Sequence, residues 1–600
     1  MSTTIPNRSE VAREHQWDLS KLYPTDEAWE KDLKKLKNLE EPVAAYAGTL
    51  SQSADTLFQF MELWNQVGQL EERLGYYAML RQSEDAGDST NQARYSRYVQ
   101  VASRVSSAGS FFSPELQQIA PETIDAWIQE DRFTDYRISL SRILRYRPHT
   151  LSPKEERLLA MQQEANQTAS RTFGALIDVD MDFGTVETPE GPRALSQSSF
   201  GSLLEHTDRD VRQRAFEQFY THFDHHKNTL ASLYSGSVQL DIYRSRIRSF
   251  PSAVEASLFT DDVPVAVYDN LVTTVQENLP LLHRYYRLRN NVLGVSDPAI
   301  WDTKVALVPE IQVNNPYEAA VDTVVTSLAP LGDEYTTTLR NGLLGTWVDR
   351  YENKGKRSGA FSAGSYYGDP YILMNYKDDS MRDMFTLTHE AGHSMHSWYS
   401  VRSNPFQHYD YTIFEAEVAS TFNEQLLVHH LLKEHRDGPM RAYLISKHID
   451  DMVGTLFRQT MFAQFERIVH HQVETGNALT VDWFRSAYRE LLEQYFGDTV
   501  MLPELLDLEG LRIPHFYRAF YVYKYATGIS AAISLSRRVL EGETAERDAY
   551  FSFLRSGGSR FPIESLRMAG VDMAQPEPIH EAMAVFRTRV EQLEEALGQG

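Results

Sequence analysis

Apolar residues recur at three- and four-residue spacing along most of this 600-residue chain, and that spacing places them on one face of successive α-helices. The stretch TDEAWEKDLKKLKNLEE is typical, because Thr25 can cap a helix and acidic residues follow it. Six hundred residues exceed what one compact core usually supports. No fixed-period repeat is present, which argues against a solenoid. The sequence therefore predicts a mainly α fold with two or more lobes.

One stretch that departs from the helical pattern is residues 174–197, FGALIDVDMDFGTVETPEGPRALS. It alternates in polarity and contains the turn sequence PEG, which predicts a small β-hairpin or ribbon. We expect this hairpin to end an N-terminal helical lobe, residues 1–197. The remaining residues, 198–600, then form a second region.

A second departure is residues 355–376, GKRSGAFSAGSYYGDPYILMNY, which pair a glycine-rich loop with a predicted strand at 371–376. In one interpretation, the edge of that strand receives an extended peptide through main-chain hydrogen bonds. In the other, a mobile surface loop leads into a short strand of the core. The sequence does not decide between the two.

Lys and Arg total 59 against 83 Asp and Glu, which gives a formal net charge of −24. A surface this acidic repels phosphate backbones and anionic membranes, so we expect neither nucleic acid nor a membrane as a partner. The absence of cysteine excludes disulfides and Cys-based zinc fingers. No stretch resembles a signal peptide or a membrane span. These features predict a soluble, cytoplasmic protein.

The stretch FTLTHEAGHSMHSWYS, residues 385–400, contains three histidines within eight positions. In a helix, His389 and His393 lie one turn apart on one face, so both imidazoles can reach one tetrahedral zinc ion. Glu390 lies about 100° around the helix from His389 and can approach a metal-bound water. HEAGH thus matches H-E-x-x-H, in which the glutamate is the general base of a zinc hydrolase. The alternative is a charged helix whose histidines face solvent or pack in the core.

Two histidines need a third protein ligand, with a fourth position left for water. The metzincin pattern is excluded, because this chain has His396 and Tyr399 where that pattern requires glycine and histidine. The next helical run, YTIFEAEVASTFNEQLLVHH, offers Glu417 and Glu424 at i and i+7 on one face, whereas Glu415 points elsewhere. Helical geometry does not choose between Glu417 and Glu424.

The remaining histidines receive a structural interpretation. His396, one turn beyond His393, can contact the metal ligands without binding the metal, or it can pack in the core. Three clusters lack an accompanying ligand set and are interpreted as solvated helix faces. They are His222 with His225 and His226, His429 with His430, and His470 with His471.

The late segment PHFYRAFYVYKYATG, residues 514–528, is rich in rings that carry polar atoms. They belong to His515, Tyr517, Tyr521, Tyr523 and Tyr525. Core packing is the simplest interpretation for most of these side chains. A zinc hydrolase also needs donors aimed at the oxyanion that forms when water attacks a carbonyl group, and tyrosine or histidine can supply them.

HEAGHSMHS followed by EAEVASTFNE resembles the oligoendopeptidase F branch of the thimet oligopeptidase family. The similarity extends to WDLSKLYP near the start, KRSGAFSAGSYYGDPYILMNY before the histidines and IPHFYRAFYVYKYATGISAA near the end, and it covers nearly the whole chain. It implies a two-lobed, mainly helical shell around a deep substrate channel, as in neurolysin and thimet oligopeptidase. A small β-ribbon or sheet would lie near the zinc helix, and helices at both ends of the chain can share one lobe.

The resemblance also implies roles for particular residues. It makes Glu417, the glutamate before ASTFNE, the third ligand of one Zn²⁺ per chain. His515 and Tyr523 match the family's oxyanion-stabilising groups and Tyr517 a substrate-binding group, although the assignment among the four tyrosines stays open.

The glycine-rich segment would border the channel in such a fold. Gly364 and Tyr366 are the positions expected to bind substrate.

The implied function is hydrolysis of internal bonds in short unfolded peptides by the region 198–600. Glu390 would take a proton from water and later deliver it to the leaving amine. One alternative is a metallocarboxypeptidase of related helical architecture, which would use the same zinc helix to trim single residues. Another is a non-enzymatic zinc- or peptide-binding protein, which should lack Glu390, Glu417 or the late tyrosines. This chain has all of them.

Overall fold

The computed structural model describes residues 5–309 and 311–598. The chain forms two compact units, each built from three separate segments. The first unit comprises Met1–Pro148, Gln312–His430 and Leu535–Val571, and the second comprises His149–Ile311, Leu431–Ser534 and Asp572–Gly600.

The first unit is mainly helical, as the apolar spacing predicts. Its α-helices are Asp26–Asn38, Glu40–Ala44, Ala54–Glu84, Ser89–Ala108, Phe112–Gln118, Pro121–Ile128, Arg137–Leu144, Tyr317–Ser327, Asp333–Leu344, Met381–Ser403, Thr544–Ser556 and Pro562–Met568. The helix predicted after Thr25 begins there, because the Thr25 hydroxyl accepts the Ala28 N–H at 3.3 Å. Its buried residues, Trp29, Leu33 and Leu36, repeat at the spacing of one helical face.

The second unit is also mainly helical. Its α-helices are Pro153–Met161, Thr168–Ala175, Gln197–Leu204, Arg209–Ile247, Ala253–Phe259, Val265–Glu277, Leu279–Leu293, Gly438–Met452, Arg458–Glu474, Val481–Phe496, Glu509–Arg512 and Glu577–Ala596. Two further helices, Ile413–Glu434 and Tyr523–Glu541, each contain a boundary between the units.

A β-hairpin in the second unit pairs Thr185–Thr188 antiparallel with Gly191–Ala194. Gly191 has a φ of 114°, which only glycine adopts readily, so the PEG turn suits this position. The hairpin predicted within residues 174–197 is therefore confirmed.

A three-stranded sheet in the first unit precedes the histidine-rich helix. Its middle strand, Pro370–Leu373, runs parallel to Val348–Asp349 and antiparallel to Phe361–Gly364. The strand predicted at 371–376 is thus shorter and central, and both of its edges are already paired. It cannot receive a peptide at an edge, so of the two interpretations left open, a short strand of the core is the one that fits this strand. The edge strand is Phe361–Gly364, which lies in the predicted glycine-rich loop, where small residues weaken the strand signal.

The core of the first unit anchors this sheet. Tyr371 and Leu373 of the middle strand are fully buried in the same apolar cluster as Trp17 and Trp29. The rings of Trp17 and Tyr371 pack edge to face, with centroids 6.1 Å apart. The sheet beside the histidine-rich helix is therefore a fixed part of the core.

The predicted division at residue 197 falls inside the second unit, while Leu535–Val571 belongs to the same unit as the start of the chain. The assignment of residues 1–197 and 198–600 to separate roles stays a prediction. No helix among the described residues is both long and apolar enough to cross a lipid bilayer.

Candidate metal centre

The helix Met381–Ser403, here called the HEAGH helix, carries the predicted histidines. It begins after Ser380, whose hydroxyl accepts the Asp383 N–H at 3.2 Å. One side of the helix lies on the sheet, where Ser394 Oγ is 3.3 Å from the Pro370 carbonyl oxygen and 2.8 Å from Ser362 Oγ. These contacts fix the helix against the two longer strands.

The helix Ile413–Glu434, here called the glutamate helix, crosses the HEAGH helix at Gly392. A Cβ atom at Gly392 would lie 2.5 Å from Ser420 Cα and 2.6 Å from the Ala419 carbonyl oxygen. Backbone atoms thus occupy the space that any side chain would need. The glycine between the two histidines and the small residues of the partner helix allow this close crossing.

The crossing brings three potential ligand atoms together. His389 Nε2 and His393 Nε2 are 3.2 Å apart, and Glu417 Oε2 lies 3.5 Å from the first and 4.0 Å from the second. Tetrahedral zinc with bonds of about 2.0–2.1 Å requires ligand atoms about 3.3–3.4 Å apart. The three atoms therefore fit one such ion. They form the only group of this kind found among the described residues.

Glu424 lies on the other side of the His389 ring. Its Oε1 is 2.8 Å from His389 Nδ1, and an ionised carboxylate can only accept, so Nδ1 carries the proton. In the neutral ring the lone pair of His389 is then on Nε2, which faces Glu417. Of the two glutamates that helical geometry left open, the structure thus brings Glu417 together with the two Nε2 atoms, whereas Glu424 contacts the opposite nitrogen of the His389 ring.

Glu417 is itself held in place. Ser420 Oγ lies 3.3 Å from Glu417 Oε2. Ser420 thus takes part in the helix crossing through its backbone and contacts the Glu417 carboxylate through its hydroxyl.

Glu390 is buried, with 7% of its surface exposed. Burial raises the pKa of its carboxyl to about 7, against the opposing effect of a hydrogen bond from the Ser362 backbone. A carboxyl with such a pKa can both take and release a proton near neutral pH. The charges of His389 and Glu417 also act on this carboxyl, and the general-base role of Glu390 stays a prediction.

The strand Phe361–Gly364 has a free edge next to Glu390. Ile372 donates its N–H to Trp347 on the far side of the sheet, so Ser362, its partner in register, turns its own N–H and C=O away from the middle strand. Gly364, two residues further on, faces the same way. No other strand among the described residues pairs with this edge.

Both residues predicted to bind substrate in the glycine-rich segment lie in the first unit. Gly364 ends the edge strand, and a Cβ there would lie 2.0 Å from Ser397 Oγ of the HEAGH helix. Tyr366 donates its N–H to Glu72 at 2.7 Å, and its half-buried ring packs against Tyr409 at 5.2 Å.

His396 has a packing role in this structure. Its ring is 1% exposed and stacks on Tyr411 at a centroid distance of 3.6 Å. Burial lowers the pKa of His396 to about 3, so the ring is neutral. The Tyr411 hydroxyl lies 2.8 Å from Ser397 Oγ and 3.3 Å from the His393 carbonyl oxygen.

The residues predicted near the end of the chain lie in the second unit. Tyr523 is buried with 1% exposed, and the Tyr517 ring stacks on Phe173 at 4.3 Å. Core packing accounts for much of both side chains. His515 is half-buried, and its Nδ1 contacts the Tyr521 hydroxyl.

Sequence reasoning missed two features of this centre. One is the requirement for glycine at position 392. The sequence does contain a signal for it, because a glycine inside the motif occurs together with the small residues Ala419 and Ser420 on the next helix. The other is the backbone hydrogen bond from Ser362 to Glu390, for which no side-chain pattern gives a signal.

The chain is also similar to known proteins. Residues 202–585 match the profile of peptidase family M3, and residues 115–183 match that of oligopeptidase F. Oligopeptidase PepF of Bacillus subtilis is 40% identical over 595 residues, which cover 99% of this chain and 89% of that protein. An oligoendopeptidase F homolog of Borreliella burgdorferi is 40% identical over 98% of this chain and 99% of its own length.

A solved structure extends the comparison to three dimensions. The crystal structure of oligoendopeptidase-F from Enterococcus faecium matches with a TM-score of 0.74 and 33% identity, over 96% of this chain and 100% of that one. The match includes the mainly helical fold predicted from the apolar spacing. The chain therefore belongs to peptidase family M3, in its oligoendopeptidase F branch, and is a metalloendopeptidase.

Proposed function

We propose that this protein uses one zinc ion to hydrolyse internal bonds of short unfolded peptides. The observation that carries the proposal is the convergence of His389 Nε2, His393 Nε2 and Glu417 Oε2 beside the buried Glu390. Two imidazoles and one carboxylate are a ligand set typical of catalytic zinc, which keeps a fourth position for water or substrate.

His389, His393 and Glu417 would hold the metal ion. Zinc bound there supplies a Lewis acid and lowers the pKa of water. Glu390 takes the proton of the attacking water and delivers it to the leaving amine when the peptide bond breaks. Its burial supports this role, because a carboxyl with a pKa near 7 is not locked in either protonation state.

The substrate would lie along the free edge of Phe361–Gly364. An extended peptide can pair with Gly364 through main-chain hydrogen bonds, which do not depend on its side chains. Glu390 is hydrogen-bonded to Ser362 on that edge, so a peptide bound there would present its backbone to the proton-transfer group. Tyr366 follows the edge strand, three positions after Ala363, and would contact the same peptide.

The roles of His515, Tyr517 and Tyr523 are proposed from the resemblance. His515 and Tyr523 would stabilise the oxyanion and Tyr517 would bind substrate. The partial exposure of His515 supports its role. Tyr523 is buried, so its role is proposed from the resemblance alone.

Mass spectrometry of a mixed peptide library, incubated with and without a chelator, tests the proposal. We expect cleavage at internal bonds that is lost with the chelator and restored by added Zn²⁺. Peptides blocked at both ends should also be cleaved, because an endopeptidase needs neither terminus. Removal of single C-terminal residues only, with blocked peptides left intact, would instead indicate a metallocarboxypeptidase.

Replacement of Glu424 should weaken metal binding without removing a ligand. We expect Glu424→Leu to raise the dissociation constant for Zn²⁺ by about 10- to 100-fold, because His389 loses the partner that orients its ring. Glu424→Gln, which keeps a hydrogen-bond acceptor, should show a smaller loss. Competition with a chromogenic chelator measures both constants. Equal affinities in the wild type and Glu424→Leu would show that Glu424 does not orient the ligand.

A further inference from the structure

Phe520, in the segment that carries His515, has an unusual backbone conformation. Its φ is 58°, in the left-handed region, which a bulky aromatic residue rarely adopts without an external constraint. The residue lies between the turn Pro514–Tyr517 and the helix Tyr523–Glu541. Something outside this segment must therefore hold the backbone at Phe520.

The constraint comes from Glu466 on the helix Arg458–Glu474. Glu466 Oε1 accepts the Phe520 N–H at 3.0 Å, and Glu466 is completely buried. The Phe520 ring, 2% exposed, packs against His470 at 4.5 Å and Tyr268 at 6.1 Å. The rings shield this hydrogen bond from water, which strengthens it.

The second carboxyl oxygen of Glu466, Oε2, has no hydrogen-bond partner within the part of the chain that the structure describes. Burial raises the pKa of Glu466 well above its usual value and so favours its neutral form. An acid buried without a cation costs stability. Among the described residues, the hydrogen bond found for its carboxyl is with the backbone of Phe520 and no ion pair is found, so ion pairing does not account for an acid at this position.

We propose that Glu466 is a positioning residue that fixes the backbone at Phe520 and, through it, the placement of His515 and Tyr521. The link is short, because Tyr521 follows Phe520 directly and its hydroxyl contacts His515 Nδ1. A shift of the backbone at Phe520 would therefore move Tyr521, whose hydroxyl contacts the His515 imidazole. The inference rests on the proposed function in one respect, namely that His515 acts on substrate.

The test uses the full-length, zinc-loaded protein with Glu466→Gln and Glu466→Met. Gln keeps a carbonyl oxygen as acceptor, whereas Met keeps the length of the side chain and removes the acceptor. Hydrogen exchange measured by mass spectrometry reports the amides of residues 513–523, and an internally quenched peptide reports kcat and KM. Glu466→Leu repeats the loss of the acceptor with another shape, should Glu466→Met fold poorly.

We expect faster exchange at residues 513–523 in Glu466→Met, with kcat lowered by about tenfold to 10²-fold and KM nearly unchanged, because the misplaced groups act in the transition state. Glu466→Gln should restore both the slow exchange and most of kcat. Unchanged exchange in Glu466→Met would overturn the constraint itself. Faster exchange with unchanged kcat would overturn the positioning role.

Glu474→Met is the matched control. Glu474 is on the same helix, and its Oε1 also accepts a backbone N–H, that of Ala253 at 2.8 Å. Its replacement should leave kcat and the exchange of residues 513–523 unchanged. An equal fall in kcat in this control would assign the effect to general destabilisation and overturn the proposal. Full turnover by His515→Ala would overturn the role of His515 in the proposed function, and the exchange data would still report on the constraint.

Discussion

Glu390→Gln is expected to bind zinc with unchanged stoichiometry and to lose nearly all turnover. Gln has the same shape, so the helix and the three ligand atoms stay in place, but an amide cannot take a proton from water. General acid–base groups contribute about 10²- to 10⁴-fold to rates, and kcat should fall by that factor. Turnover of an internally quenched peptide, together with metal analysis of the same sample, measures both expectations.

Glu415→Gln provides the control for this experiment. Glu415 is also a buried acid, and burial raises its pKa to about 7, but its Oε2 is bound to the Thr412 hydroxyl at 3.1 Å. It should keep its turnover. Full activity in a zinc-loaded Glu390→Gln protein would remove Glu390 from the mechanism.

Gly392→Ala is expected to damage the candidate metal centre although it changes neither a proposed ligand nor the proposed general base. The added methyl group would overlap the backbone at Ser420 and Ala419, and neither can move unless the helices separate. Overpacking of this kind costs about 1–3 kcal/mol of unfolding free energy. Glu417 would move away with its helix, so the affinity for Zn²⁺ should fall as well. Chemical denaturation and chelator competition measure the two losses.

Gly236→Ala is the matched substitution. Gly236 also lies inside a long helix, but apart from its chain neighbours and the backbone of its own helix, no atom is within 4 Å of the Cβ that it would gain. Here alanine should raise the unfolding free energy by about 0.5–1 kcal/mol, since it favours the helical backbone. If both alanine variants lost the same stability, close helix crossing could not explain the need for Gly392.

The arrangement of the HEAGH helix could be predicted from sequence because its chemistry is local. The spacing of His389 and His393 fixes their relative positions within one turn, whatever surrounds them. The choice between Glu417 and Glu424 could not be predicted from that spacing, since both lie on one face of their helix. It depends on where two helices cross, and Gly392 sets the crossing.

The sheet shows a second limit of sequence reasoning. The apolar run at 371–376 gives a clear strand signal, but the signal does not say how many neighbours a strand has. The edge strand Phe361–Gly364 consists largely of small residues, and its strand conformation comes from pairing with Pro370–Leu373. The composition of both units from non-contiguous segments likewise depends on contacts between residues far apart in sequence.

The three-segment composition of the first unit affects when the centre can form during synthesis. The HEAGH helix packs against Thr544–Ser556, where Phe553 covers the His396 ring at 5.1 Å. A ribosome makes the histidines long before it makes that covering helix. The first unit is therefore complete only after residues 544–556 have been made, and a chain that ends before them lacks part of the packing around the HEAGH helix.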